Sequence, residues 1–259
     1  MKAIALLVPV LLLVAAGGAF AQAPRVIDIP TRPGVTQRFL YLAPHSPRAA
    51  VILFAGGHGG LSIRDDGEFG WGKGNFLVRS RELFVREGLA VAVIDAPSDR
   101  AQLGESRLSD DHVTDVKALI AWLRAQAPLP VWLVGTSRGT QSAAWVAVHA
   151  PRAKGGPDGV VLTATVLADP RSRAVPRMDV EGIAVPVLVV HHKDDGCRVC
   201  PYAAAPGLVA QLAAAKRREL VAFEGGIDRG DPCGAMAHHG FNGIEAAVVG
   251  RIAAWIGAD

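Results

Sequence analysis

The sequence predicts an α/β fold in which a mostly parallel, doubly wound sheet carries helices on both faces. Three observations support this prediction. From residue 38 onward short apolar segments alternate with helix-like ones, the apolar segments are apolar throughout rather than at every second position, and a glycine-rich turn joins one of them to a helix. Strands that are apolar on both faces and separated by helices are typical of parallel sheets covered on both sides.

The predicted elements follow one another in a regular order. Apolar, β-branched runs predict seven strands, with the first at a sheet edge: 39–42, 50–54, 90–94, 131–134, 160–167, 185–190 and 219–223. Apolar residues at helical spacing predict five helices: 75–87, 110–124, 141–150, 203–215 and 243–256. Only a short connection separates the strands 160–167 and 185–190, so no sizeable lid domain is expected.

A ligand site is expected where these parallel strands end. In open α/β sheets ligands bind beyond the carboxyl ends of the strands. The loops that follow residues 54, 134, 190 and 223 should therefore line one mouth.

The stretch Gly135-Thr136-Ser137-Arg138-Gly139 is the most informative motif of the chain. It follows a predicted strand and opens a predicted helix, which is the context of a nucleophile elbow. In such a turn the glycines let strand and helix approach closely, and the serine hydroxyl projects above the sheet edge. The helix N-terminus behind it offers N–H groups and a positive dipole end to a developing oxyanion.

The N-terminus is predicted to be a secretory signal peptide, residues 1–21. Lys2 supplies a positive start, an apolar core follows, and Ala19-Phe20-Ala21 is a cleavage site of the A-x-A type. A membrane anchor would need a longer apolar run. We therefore expect cleavage after Ala21, a periplasmic or secreted protein without membrane attachment, and one domain over residues 22–259.

Charge gives no reason to expect a polyanionic partner. The formal net charge is +3 over 259 residues, and the chain has no long charged run. Nucleic acid and anionic membranes are attracted by strongly basic patches, which this composition lacks. No nucleic-acid partner is therefore predicted. No cofactor is predicted either, and the oligomeric state is left open.

Chain order points to a family. Ser137 is followed by Asp194-Asp195 after one predicted strand, and then by His238-His239 after the next one. Nucleophile, acid and histidine in that chain order, each on its own loop after a strand, are typical of α/β hydrolases. Over nearly all of residues 22–259 the chain resembles the α/β-hydrolase superfamily, and within it the lidless, exported serine esterases and dienelactone-hydrolase-like enzymes.

The resemblance implies a catalytic triad. In members whose strand ends in His-Gly-x-x-Asp, the last residue of this motif is the catalytic acid, and the matching residue here is Asp195. This sequence departs from the motif, because His192 replaces the glycine. Asp194 stays an alternative. His239 precedes Gly240 and resembles the His-Gly-aromatic step of the family, with His238 as the alternative. Ser137 would be the nucleophile, His239 the base and Asp195 the group that orients the histidine.

The resemblance also implies an oxyanion hole. One donor should be the backbone N–H of Arg138, the residue after the nucleophile. The other should come from the glycine-rich loop after residue 54, where Gly57 and His58 are equal candidates. The side chain of Arg138 could reach a substrate carboxylate or could form a structural salt bridge.

The three cysteines predict one disulfide in an exported protein. Asp195 and Cys197 share one post-strand loop, Cys233 and His239 share the next, and a triad requires these loops to touch. The prediction is therefore a Cys197–Cys233 disulfide with Cys200 unpaired.

Together these features predict an exported serine hydrolase that cleaves a small ester. Thioester or amide hydrolysis shares the same chemistry and stays open. The alternatives are a non-catalytic binding protein on the same fold, a zinc site built from the cysteines and His238, or a thiol-redox protein using Cys197 and Cys200. No metal is expected in the favoured case.

Overall fold

The computed structural model describes residues 23–170 and 174–258. Its eight strands are β1 (Arg25–Arg32), β2 (Val35–Leu42), β3 (Ala49–Phe54), β4 (Leu89–Pro97), β5 (Val131–Thr136), β6 (Gly159–Thr163), β7 (Val187–His192) and β8 (Arg218–Phe223). They form one sheet in the order β1-β2-β4-β3-β5-β6-β7-β8. The pairs β1–β2 and β2–β4 are antiparallel. All other neighbouring strands, from β4 to β8 along the sheet, pair parallel.

Helices cover both faces of this sheet. They are α1 (Phe76–Arg79), α2 (Arg81–Arg86), α3 (Asp110–Gln126), α4 (Gly139–His149), α5 (Ala205–Gln211) and α6 (Glu245–Ile256). The helices α3, α4 and α5 pack with one hydrophobic core, and α1, α2 and α6 pack with the other. Alternate residues of β3 enter the two cores, Ile52 one and Val51 the other. The predicted fold class is thereby confirmed.

The antiparallel end of the sheet differs from the prediction. The first strand, β1, was not predicted. The strand 39–42, predicted at the sheet edge, belongs to β2, which lies between β1 and β4. β1 is half-exposed and contains Pro30, so it lacks the continuous apolar run that marks the central strands. Arg32 fastens this edge by donating to both oxygens of the buried Asp115 on α3, at 2.8 and 3.0 Å.

Three predicted elements are shorter than expected. The helix 75–87 is interrupted at Ser80, which ends α1 and begins α2 with a non-helical backbone. The strand 160–167 ends at Thr163, because Ala164 adopts a left-handed conformation with φ 45°. The helix 203–215 is reduced to α5, preceded by a 3₁₀ turn over Tyr202–Ala204. Apolar composition continued beyond each boundary, so periodicity alone did not mark it.

The connection from β6 to β7 carries no lid helix in its described part. It contains two 3₁₀ turns, Val175–Arg177 and Val180–Gly182. Across residues 23–170 and 174–258, no helix is both long and apolar enough to cross a membrane. The predicted signal peptide, residues 1–21, lies outside the described residues.

Candidate active site

The turn between β5 and α4 holds Ser137 in a strained backbone conformation. Ser137 has φ 56°, a left-handed value that non-glycine residues rarely adopt. A Cβ at Gly135 would lie 2.4 Å from the carbonyl oxygen of Gly139, and one at Gly139 would lie 2.0 Å from the carbonyl oxygen of Phe54. Glycine is therefore required at both positions, because strand and helix meet at backbone contact distance.

Hydrogen bonds on both sides hold this turn. The Ser137 N–H donates to the Thr163 carbonyl on β6 at 3.0 Å. The Ser137 carbonyl accepts from the N–H of Thr140 at 2.9 Å and from its hydroxyl at 2.6 Å. With its backbone fixed to β6 and to α4, the Ser137 side chain lines the cavity at the carboxyl ends of the strands.

An acid and a histidine from two neighbouring loops meet beside this turn. The Nδ1–H of His239 donates to the carboxylate of Asp195, with Nδ1 2.9 Å from Oδ2 and 3.1 Å from Oδ1. Both side chains are buried. Asp195 Oδ1 also accepts the Cys197 N–H at 2.9 Å, which fixes the carboxylate. His239 Nε2 is buried and has no hydrogen-bond partner among the described residues, so it can accept a proton.

The two competing residues lie elsewhere. Asp194 is exposed, and its backbone N–H donates to Nδ1 of His192 at 3.0 Å. His238 stacks on the His192 ring at a centroid distance of 4.1 Å. Neither Asp194 nor His238 takes part in the Asp195–His239 pair.

Cys200 lies next to both Ser137 and His239. Its thiol is beside the Ser137 hydroxyl, and its Sγ lies within 4.8 Å of a His239 ring nitrogen. Burial, with the nearby charge of Asp195, raises the pKa of Cys200 well above its ordinary value, so it stays a neutral thiol at neutral pH. Ser137 and His239 therefore share one buried neighbour in a single cluster.

His191 supports this cluster from β7. Its Nε2 accepts the Thr165 N–H at 2.8 Å, which places the ring proton on Nδ1. Burial lowers the pKa of His191 to about 4, more than the charge of Asp195 raises it. The ring is therefore neutral at neutral pH and holds the start of the connection after β6.

A disulfide joins the loop of the acid to the loop of the histidine. It links Cys197 to Cys233, the pair that the sequence analysis predicts, and leaves Cys200 as a buried free thiol. The zinc and thiol-redox alternatives need free sulfurs at Cys197 and Cys233 or a Cys197–Cys200 bridge. The observed pairing provides neither of them.

The glycine-rich loop after β3 lies against the turn of Ser137, since a Cβ at Gly56 would be 3.0 Å from the Ser137 Cβ. Gly57 lines the cavity, and neither Gly57 nor His58 donates its backbone N–H to a described residue. The His58 ring is held in place, because its Nδ1 accepts the Gly60 N–H at 3.1 Å and the ring packs at a tilt against Trp71, with the ring centroids 3.7 Å apart. Because neither N–H is used within the described part of the protein, Gly57 and His58 both stay candidates for the second donor.

The cavity itself has a volume of about 440 Å³ and is open to solvent. Two arginines line it. Arg138 forms an ion pair with the buried Asp169 at 2.9 Å. Of the two roles proposed for its side chain, a substrate contact or a structural salt bridge, this contact is the salt bridge. Arg198 is exposed and forms no ion pair with a described residue.

Two buried charged residues shape the site, and the sequence did not predict these roles for them. The carboxylate of Asp95 accepts the N–H groups of Leu61 and Ile63 at 2.6 and 2.7 Å and anchors the end of the glycine-rich loop. Arg107 is fully buried beneath the same loop. An aspartate shortly before Pro97 indicates an ordinary turn, and an arginine in a polar segment is expected to be exposed. The sequence pattern therefore did not predict burial for either residue.

Comparisons with known proteins concern the fold. No family model matches the chain, and no curated protein matches it by sequence. Among solved structures it is similar to an esterase of Pyrococcus furiosus, with TM-score 0.63, 13% identity and 89% of each chain covered. A carboxylesterase cloned from a metagenomic library has TM-score 0.64 and 18% identity, covering 92% of this chain and 90% of that one. A serine hydrolase without a lid from Xanthomonas campestris has TM-score 0.57 and 18% identity, covering 92% and 96%.

These similarities show the fold that the sequence analysis expected. The chain has the lidless α/β-hydrolase fold over about nine tenths of its length. The identities are too low to transfer an activity, a substrate or site residues from these proteins.

Proposed function

We propose that this chain is an exported serine hydrolase that cleaves small esters through an acyl-enzyme. The observation that carries the proposal is the buried Asp195–His239 hydrogen bond beside the strained turn of Ser137. A serine hydroxyl is a weak nucleophile until an imidazole accepts its proton. Here the imidazole has a buried Nε2 with no hydrogen-bond partner among the described residues, and a carboxylate accepts its Nδ1–H.

In the proposed reaction, His239 Nε2 takes the Ser137 proton while the serine oxygen attacks the ester carbonyl. Asp195 holds the ring tautomer and stabilises the imidazolium that forms. The oxyanion is stabilised by the N–H of Arg138 at the start of α4 and by an N–H of the loop at Gly57 and His58. The tetrahedral intermediate expels the alcohol, which takes the proton from His239. Water then hydrolyses the acyl-serine with His239 again as the base.

The cavity supports a small substrate. Its volume of about 440 Å³ lies at the lower end of the usual range for ligand pockets, and no described helix covers it. Proteins of similar structure are described as an esterase and a carboxylesterase, and ester hydrolysis is the reaction that we propose here.

Export remains part of the proposal. It is supported by the predicted signal peptide and by the Cys197–Cys233 disulfide, since disulfides persist mainly in oxidising compartments. A periplasmic or secreted location would make small soluble esters the accessible substrates.

Covalent labelling tests the proposal. A fluorophosphonate probe should label the wild-type protein and fail to label Ser137→Ala, whose ester turnover should fall by several orders of magnitude. Ser46→Ala, which changes an exposed loop serine, serves as the matched control and should label like the wild type. Labelling that survives in Ser137→Ala overturns the nucleophile. An unlabelled wild-type protein instead favours a binding protein on this fold.

A graded series of para-nitrophenyl esters defines the substrate. Turnover should be highest for short acyl chains and should fall once the chain exceeds the cavity. A rising preference for long chains would contradict the substrate part of the proposal and leave the nucleophile untouched.

A further inference from the structure

Arg107 is an unusual residue for the interior of a protein. It lies in the 3₁₀ turn Gly104–Leu108 between β4 and α3, and only 1% of its surface is exposed. It forms no ion pair with a described carboxylate. Burial of an unpaired charge is strongly unfavourable unless its donors are used in hydrogen bonds. The contacts that the guanidinium makes therefore indicate what it does.

These contacts go to the glycine-rich loop and to the elbow helix. Nη2 donates to the carbonyl of Ala55 at 3.0 Å and to that of Gly57 at 3.4 Å. Nη1 donates to the Ser142 hydroxyl on α4 at 2.8 Å. Arg107 thus connects the glycine-rich loop beside the nucleophile to α4, the helix that follows the nucleophile.

The loop is built around this guanidinium. Gly59 has φ +78°, and a Cβ there would lie 2.2 Å from Arg107 Nη2. From the other side, the His58 carbonyl accepts the Leu103 N–H at 2.9 Å. Only a glycine at position 59 leaves room for the charge to approach the loop backbone this closely.

Peptide geometry links these contacts to catalysis. In a planar trans peptide the carbonyl and the following N–H point in opposite directions. The carbonyl of Gly57 is directed at the buried Arg107, so the N–H of His58 is directed away from it. Gly57 lines the cavity that Ser137 lines, whereas the buried Arg107 does not, so Arg107 contacts the loop from the side away from the cavity.

We infer that Arg107 is a positioning residue that sets the oxyanion hole, and that it does so by turning the His58 N–H rather than the Gly57 N–H towards the substrate oxygen. This inference rests on the proposed function. A guanidinium can hold two carbonyls at once in a fixed geometry, which an ammonium group cannot reproduce. Although burial lowers the pKa of Arg107 to about 9, it stays cationic at neutral pH and adds a fixed positive charge behind the loop.

The test compares esters with their thiono analogues, in which sulfur replaces the carbonyl oxygen. Donors placed for an oxyanion favour the oxygen ester, so the ratio of kcat for the two substrates reports on the oxyanion hole. Arg107→Lys should lower kcat for the oxygen ester by about 10–100-fold, with KM changed less than about threefold, and should lower the oxygen-to-sulfur ratio. Arg124→Lys changes an arginine that also binds a carbonyl, at the far end of β5, and should preserve the ratio.

The donor is identified by two changes at one position. His58→Pro deletes the N–H and should lower the ratio as far as Arg107→Lys does. His58→Ala deletes only the ring and should lower it less. Equal losses for both variants would overturn the choice of the His58 N–H.

A purely structural role gives a different result. If Arg107→Lys is folded and its oxygen-to-sulfur ratio equals that of the wild type, the inference is wrong, whatever happens to stability. If Arg107→Lys does not fold, Ser142→Ala decides, because it removes one partner of the guanidinium and leaves the charge in place. A lowered ratio in Ser142→Ala supports the inference, and an unchanged ratio overturns it. Failure of the proposed function itself would appear earlier, as a wild-type protein that a fluorophosphonate does not label.

Discussion

The disulfide gives the most informative perturbation, because stability and activity should respond by different amounts. Cys197 and Cys233 are separated by 36 positions in the sequence. In the chain-entropy model, opening a loop of that length costs about 4 kcal/mol of stability at 25 °C. Cys200 would interfere, because its Sγ lies within 4.8 Å of that of Cys197 and could pair with it. The comparison is therefore between Cys200→Ala and the double variant Cys200→Ala/Cys233→Ser.

Urea unfolding followed by tryptophan fluorescence measures the first effect. With an m-value of about 3 kcal/mol per M, the loss of about 4 kcal/mol lowers the unfolding midpoint by roughly 1 M. Cys233 is exposed, so serine there adds no burial cost. Equal midpoints for the two variants would refute the reasoning.

Ester turnover measures the second effect. The disulfide holds the loop of Asp195 against the loop of His239, so its loss should lower kcat by about tenfold, well short of the roughly 10⁴-fold effect of losing the carboxylate function. A double variant that loses stability and keeps the full kcat would show that the bridge stabilises the fold without positioning the acid and the base.

Three further predictions concern single residues. Asp195→Asn should lower turnover by about 10⁴-fold, whereas Asp194→Asn should lower it less than about tenfold, and steady-state kinetics showing the reverse would identify Asp194 as the acid. Because burial lowers the pKa of His191 to about 4 and that of His112 to about 3, the unfolded state binds more protons below about pH 6.5. The contribution of these two histidines to the free energy of unfolding should therefore be fully present above that pH. It should fall by up to about 1.4 kcal/mol per pH unit for each histidine down to about pH 4. A urea midpoint that stays constant from pH 7 to pH 5 would contradict this. Arg198→Ala should lower kcat/KM for an ester that carries a carboxylate on its acyl chain by about two- to fivefold relative to a neutral ester of equal length. This is the effect expected from an exposed ion pair. Equal losses for the two esters would exclude a role of Arg198 in substrate choice.

Sequence patterns predicted the central sheet because its strands are buried on both faces. The strands from β3 to β7 are buried along almost all of their length, and each appears in the sequence as an apolar run. β1 was missed because one of its faces is in solvent, so its composition resembles that of a loop. A half-buried strand at a sheet edge needs few apolar residues, so no apolar run marks it in the sequence.

The candidate site divides in the same way. Ser137, Asp195 and His239 were predicted because each follows a recognisable strand, and the structure places Asp195 and His239 in contact. The supporting residues Arg107 and Asp95 act through loop backbone, and such contacts depend on how the loop folds rather than on a spacing in the chain. Cys200 was predicted to be unpaired, but its place between Ser137 and His239 depends on a turn after β7 that periodicity does not describe.

The left-handed conformation of Ser137 sets natural selection for activity against selection for stability at one residue. A non-glycine residue in this conformation costs about 1–2 kcal/mol. Ser137→Gly should therefore give a protein that cannot form an acyl-enzyme and yet unfolds at a higher temperature than the wild type, whereas Ser137→Ala keeps the strained backbone. A lineage that lost its substrate would drift towards glycine here, and a screen for thermostability alone would favour inactive variants.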